Sequence, residues 1–162
     1  MDNFERVKQF IDKNLHLMLP PKRIPASEAM ILQLENELDI KFRGEYLRFI
    51  QQWGSISLVG NWNNYFALYQ HKERTIYWVI SEAQYLWTTG LPRSYIPIVS
   101  VDGDEYYCLE PGIDGDQAVH AWDPFGKEFV RKQSDSLFEL IWQDIVEHAI
   151  PNAKEDGEIV NL

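Results

Sequence analysis

Apolar residues at Phe4, Val7, Ile11, Leu15 and Met18 recur at spacings of three and four, which places them on one face of a helix. Pro20 and Pro21 are expected to end that helix, because proline offers no N–H and clashes with the preceding turn. A second helix is predicted from Ser27, a good N-cap, with Glu28 in its first turn where a carboxylate complements the helix dipole. Its buried stripe is Ile31, Leu34 and Leu38. The third helix has the clearest period: Tyr46, Phe49, Ile50 and Trp53 fall at i, i+3, i+4 and i+7. Gly54 follows at once, where a left-handed cap suits glycine.

After Gly54 the period shortens. Short runs rich in β-branched and aromatic residues predict strands at 55–59, 65–69, 75–80, 96–101, 105–110, 118–123 and 128–131. Turn signals separate them, among them Gly60-Asn61, Asp102-Gly103, Asp114-Gly115 and Pro124-Phe125-Gly126. Asp102-Gly103 suits a tight hairpin, since both residues tolerate positive φ. Residues 81–90 fit either a short helix or a loop. A closing helix is predicted over 136–149, with Ser136 and Glu139 as a capping box and Leu137, Ile141 and Ile145 on one face. Helices, then strands, then a helix is the order of an α+β domain whose helices pack on a largely antiparallel, twisted sheet. Residues 1–150 are expected to form a single domain, and the polar, acidic stretch 151–162 a frayed tail.

Hydrophobic residues make up 45% and aromatics 14% of the 162 residues, which excludes an intrinsically disordered chain. Such a length buries ~70% of the unfolded surface and needs no disulfide or metal to fold. With Cys108 as the one cysteine, no intrachain disulfide forms. Fifteen basic residues against 25 acidic ones leave a formal charge of −10. Direct nucleic-acid binding is therefore not expected, because it needs Lys and Arg to displace counterions from phosphates. The first ten residues carry Asp2, Glu5, Arg6 and Lys8 where a secretory signal needs an apolar core. No apolar run approaches the ~20 residues of a membrane span, so a cytoplasmic protein is expected.

The easily recognised catalytic signatures are missing: there is no P-loop, GxGxxG, GxSxG or HExxH. His16, His71, His120 and His148 show no ligand-pair spacing, and His120 reads as a surface or sheet-edge histidine. Cys108, set between Tyr107 and Leu109, reads as a buried, inert thiol. The acids Asp102, Asp104, Glu105, Glu110, Asp114, Asp116 and Asp123 crowd one stretch of chain. An EF-hand reading fails, because Tyr106 stands where an oxygen ligand is required. Either these acids keep hairpin turns soluble and discourage edge pairing, or they form an anionic face for a basic partner. Trp62, in Gly60-Asn61-Trp62-Asn63-Asn64-Tyr65, either folds back over the sheet edge as core or stands exposed as an interface anchor. Trp53, Trp78, Trp122 and Trp142 fall on apolar patterns and read as core. No catalytic residue, cofactor or metal is assigned; the partner-binding candidates are Trp62, Tyr65, Asp102, Asp104, Glu105, Asp114 and Asp116.

Four stretches, taken in order, resemble the SUKH superfamily, which includes bacterial immunity proteins and the yeast cell-wall assembly regulators. Ile31-Leu32-Gln33-Leu34-Glu35-Asn36-Glu37-Leu38 is similar to its early I-x-x-L-E-x-x-L helix, and Glu45-Tyr46-Leu47-Arg48-Phe49-Ile50, leading to Gly54, to its second helix and glycine. Ile96-Pro97-Ile98, running into Asp102-Gly103 and on to Cys108-Leu109, is similar to its hairpin, and Val119-His120-Ala121-Trp122 to the next strand. Phe42 and Arg43 stand where the family often has a proline, and Trp53 where it often has asparagine before the glycine. The resemblance implies a SUKH-like α+β domain without enzymatic activity. In bacteria such a domain implies an immunity protein that binds and blocks a cognate toxin, often a nuclease whose basic cleft an acidic surface can occupy. An intracellular scaffold of the same fold is the alternative, and a small hydrolase or carbohydrate-binding module using Trp62, Tyr65, His120 and the carboxylates is a third reading.

Overall fold

The computed structural model describes residues 1–20 and 24–162; Pro21, one of the two expected helix stops, lies outside them. Helix α1 spans Asn3–Lys13, and the Asp2 carboxylate accepts from the Glu5 N–H at 2.8 Å to cap it. It ends well before Pro20, and Asn14 is the reason. The Asn14 side-chain amide donates to the Phe10 carbonyl at 2.8 Å, taking the acceptor that the next helical N–H would use. A 3₁₀ turn, Leu15–Leu17, follows. Leu15 is thereby turned out of the expected stripe and is 51% exposed, whereas Phe10, which the spacing omitted, is buried.

Helix α2, Glu28–Leu38, starts as expected, with the Met30 N–H donating to Ser27 Oγ at 3.2 Å. Helix α3, Gly44–Gln52, buries Tyr46, Phe49, Ile50 and the following Trp53 completely. Gly54 adopts φ +70, and a Cβ there would stand 2.0 Å from the Ile24 carbonyl oxygen, so only glycine fits.

Two small ribbons come next: β1, Ser55–Ile56, pairs antiparallel with β2, Tyr65–Phe66, and β3, Tyr69–His71, with β4, Arg74–Ile76. The strand expected over 75–80 stops at Ile76, because helix α4 occupies Trp78–Thr88. Its buried Val79, Ala83 and Leu86 keep a helical period, and a short apolar run satisfies either period until the residues beyond it are counted. This also decides residues 81–90 in favour of helix as far as Thr88.

The principal sheet is an antiparallel meander of β5 (Ile96–Val101), β6 (Glu105–Leu109), β7 (Val119–Asp123) and β8 (Glu128–Ser134). Asp102 and Gly103 take φ +53 and +77, and the Asp104 N–H closes the turn on the Val101 carbonyl at 3.1 Å. Tyr107, Leu109 and Ala121 face the main core, while Tyr106, Cys108 and Trp122 form a second cluster under Leu86 and Leu91. That alternation is the period of two made visible.

Helix α5, Leu137–Asp144, runs through a π-helical turn, Ile145–Ala149, into α6, Ile150–Glu155. It outlasts the expected end because Pro151 sits in the first turn of α6, where its missing N–H costs least. The last residues return to α1 instead of hanging free, correcting the frayed-tail expectation. Buried Asn14 pairs with the Asn161 backbone in both directions at 2.7 Å, and the His16 ring bonds the Ile159 carbonyl at 2.6 Å.

Candidate partner interface

The connection between β6 and β7 is pinned to the start of α3. Gln117, fully buried, accepts from the Tyr46 N–H at 2.7 Å and donates to the carbonyls of Arg43 and Ile113 at 2.9 and 2.7 Å. Glu45 accepts from the Gln117 N–H at 2.6 Å. This anchoring fixes where the acidic stretch goes. Asp102, Asp104 and Glu105 lie at the β5–β6 turn, and Glu110, Asp114 and Asp116 beyond the other end of β6. Along an extended strand, Asp104 and Glu110 are about 20 Å apart. The acids close in sequence therefore do not form one face. Asp102, Asp104 and Asp116 are exposed, Asp114 lies 3.4 Å from Arg43, and Glu105 is paired with Arg131 across β7.

Trp62 is 74% exposed, which resolves its two readings in favour of a surface residue. It does not hang loose. Its indole stacks on the His148 ring at 3.9 Å with 6° between the planes. The π-helical turn that carries His148 is the type of irregularity that recurs at functional sites. Beneath the loop, the buried Asp144 carboxylate accepts from the Trp62 N–H at 3.3 Å, the Asn63 N–H at 3.2 Å and the Tyr65 hydroxyl at 3.0 Å. Asn152 adds a bond to the Gly60 carbonyl at 2.8 Å.

Burial raises the Asp144 carboxyl above its ordinary range, and the hydrogen bonds from Tyr65, Asn63 and Trp62 oppose that rise. Burial raises Tyr65 as well, and the Asp144 charge adds to it. Tyr65, unlike the other candidates, is fully buried with its hydroxyl committed to Asp144, so it supports the loop from beneath. Asp144 and His148 were not singled out from sequence. The available signal was an aspartate set directly before Ile145 on an apolar helix face.

Tyr107, on the core-facing side of β6, stands opposite Ala121 of β7, which in turn stands opposite Arg131 of β8. His120 sits half-buried between the Tyr95 and Phe129 rings, at 6.0 and 5.6 Å, on the sheet's other face. Cys108 has zero exposure, and burial pushes its thiol far up, so it keeps its proton. Among the described residues, no group of three His, Cys, Asp or Glu side chains is placed to hold a metal ion, and no helix is long and apolar enough to cross a membrane.

The family model described as SMI1-KNR4 cell-wall, SUKH_5, matches residues 7–146, from within α1 to the first residues of the π-helical turn. The chain belongs to the SUKH family. Its fold is similar to the crystal structure of a protein from Pseudomonas syringae pv. tomato, with a TM-score of 0.59 at 18% identity over 83% of this chain and 92% of that one. No curated protein matches. Two glutamates of the SUKH-like motifs have visible structural tasks here. Glu35 accepts from the Phe42 N–H at 2.7 Å and holds the turn between α2 and α3, while Glu45 joins α3 to α5.

Proposed function

We propose that this SUKH domain is a non-enzymatic protein-binding module, an immunity protein that neutralises a cognate toxin by occupying its functional surface. The observation that carries the reading is Trp62: a large aromatic side chain, 74% exposed, stacked on His148 and held on a loop clamped by a buried carboxylate. Exposed tryptophans are prominent among the few residues that supply most binding energy, and a clamped loop spares the cost of ordering it on contact. The net charge of −10 adds the second element, favouring a basic partner such as a nuclease domain and speeding their encounter. Asp102 and Asp104, exposed at the β5–β6 turn, are among the acids that contribute to this field.

The test is protection. Cells expressing the carboxy-terminal domain encoded by a large reading frame adjacent to this gene should survive when this chain is co-expressed, and should die when it carries Trp62→Ala. Purified proteins should form a stoichiometric complex on gel filtration. Absence of both protection and complex overturns the reading.

A further inference from the structure

A second site, whose walls include neither Trp62 nor His148, does not depend on the toxin-binding reading. The β3–β4 ribbon and the start of α4 border a cavity of about 790 Å³ whose walls include Phe66, Tyr69, Trp78, Gln70, His71 and Lys72. The Phe66 ring meets Tyr69 at 5.3 Å and Trp78 at 5.8 Å, and all three rings remain partly open to solvent. An aromatic wall of this kind presents π-faces to a flat ligand.

The ribbon's tip has the opposite sign to the rest of the protein. His71, Lys72 and Arg74 are all exposed there against the single carboxylate of Glu73, and His71 stands directly opposite Arg74 in register. Lys72 holds φ +55, as the two-residue turn between His71 and Arg74 requires. The adjoining α4 begins without a side-chain cap or an acid in its first turn, so its partial positive end adds to the same field. A cationic rim on a chain of net charge −10 is the feature that selects the ligand, because an anion is repelled by most of this surface but not here.

We propose that this cavity binds a small anion carrying a planar ring, of the nucleoside monophosphate class. The ring lies against Phe66 and Trp78, the phosphate against Lys72 and His71, and the Gln70 amide offers a donor and an acceptor to the ring edge. The volume is that of a single-ligand pocket, and the acidic surroundings disfavour a polynucleotide continuing out of it.

Calorimetric titration of the full chain with AMP and GMP, in parallel with adenosine and inorganic phosphate, tests the site. Expected is saturable binding of at least one nucleotide, with adenosine and phosphate each about tenfold weaker or more, since each keeps only half of the contacts. Trp78→Ala should weaken the nucleotide by about tenfold. Lys72→Glu, at an exposed position that leaves the fold intact by circular dichroism, should reduce it to the level of adenosine. Trp62→Ala should leave it unchanged, which separates this site from the proposed toxin interface. No saturation at millimolar nucleotide, equal affinity for inorganic phosphate, or indifference to Lys72→Glu would each overturn the proposal.

Discussion

The Glu45 carboxylate stands 2.6 Å from the Ser136 hydroxyl and 3.0 and 3.1 Å from the Leu137 and Phe138 N–H groups, so a side chain on α3 caps α5. The same carboxylate takes the Gln117 N–H at 2.6 Å, and three segments far apart in sequence meet on one buried acid. Ser136 does accept from the Glu139 N–H at 3.3 Å, as a capping box requires, but Glu45 holds the adjoining amides in place of a local acid.

Glu45→Ala leaves several buried donors without acceptors and removes a helix cap. It should destabilise the fold by about 2–4 kcal/mol, read from urea unfolding. Glu45→Gln, which turns an NH₂ toward N–H donors, should fall between. A loss below about 1 kcal/mol would show that the junction is not structural.

Trp62→Ala separates binding from stability. Because Trp62 is 74% exposed, unfolding should change by about 1 kcal/mol or less, chiefly from the lost His148 stack. Affinity for the toxin should fall by about thirtyfold or more. Equal binding by variant and wild type would remove Trp62 from the interface.

The separation of the acids along β6 makes charge reversal a positional test. Asp102→Lys with Asp104→Lys, at the exposed β5–β6 turn, should slow association and flatten its salt dependence. Asp114→Lys with Asp116→Lys, beyond the far end of β6, should do so weakly. Stopped-flow association at two ionic strengths reads the difference, and equal effects would place the interface elsewhere.

Asp144 carries a pH signature. Burial holds its carboxyl above the ordinary 3.8, so the folded chain binds this proton more tightly than the unfolded chain. Stability from this group is fully present below the unfolded value and is lost as pH rises through the folded one. Asp144→Asn abolishes the titration. Wild type should therefore lose stability relative to the variant as pH rises from the ordinary carboxylate value through the raised folded one, measured as urea midpoints. A difference that does not vary with pH would contradict the raised value.

Asn14 closes the ends of the chain on each other. Asn14→Ala removes its bonds to the Phe10 carbonyl and to both backbone groups of Asn161. The cost should be about 1–3 kcal/mol, with rapid amide exchange confined to residues 158–162 and the end of α1. Unchanged exchange at the Asn161 amide would show that the clasp does not form.

Legibility followed the range of the interactions. The faces of α2 and α3, the β5–β6 hairpin at Asp102-Gly103 and the places of the sheet's strands along the chain follow from spacing, caps and turn chemistry, all of which act over a few residues. Two local readings failed where a local rule met a competitor: Asn14 outbid the helix of which Leu15 was read as part, and the 75–80 run fitted two periods at once. For the candidate interface, sequence singled out Trp62 as an aromatic in a polar loop, but Tyr65 by the same rule, although it is buried.

What the sequence by itself determined is the α+β order of elements, the alternating two-faced sheet and the excess of negative charge, because periodicity, turn propensity and composition need no distant partner to be expressed. What only the tertiary structure decided is who meets whom. Glu45 reaches Ser136, Asp144 clamps the Trp62 loop, Asn14 holds Asn161, and acids crowded in sequence part to opposite ends of β6. Strand rise separates residues that are near in the chain, and core packing joins those that are far, so neither outcome can be read from spacing.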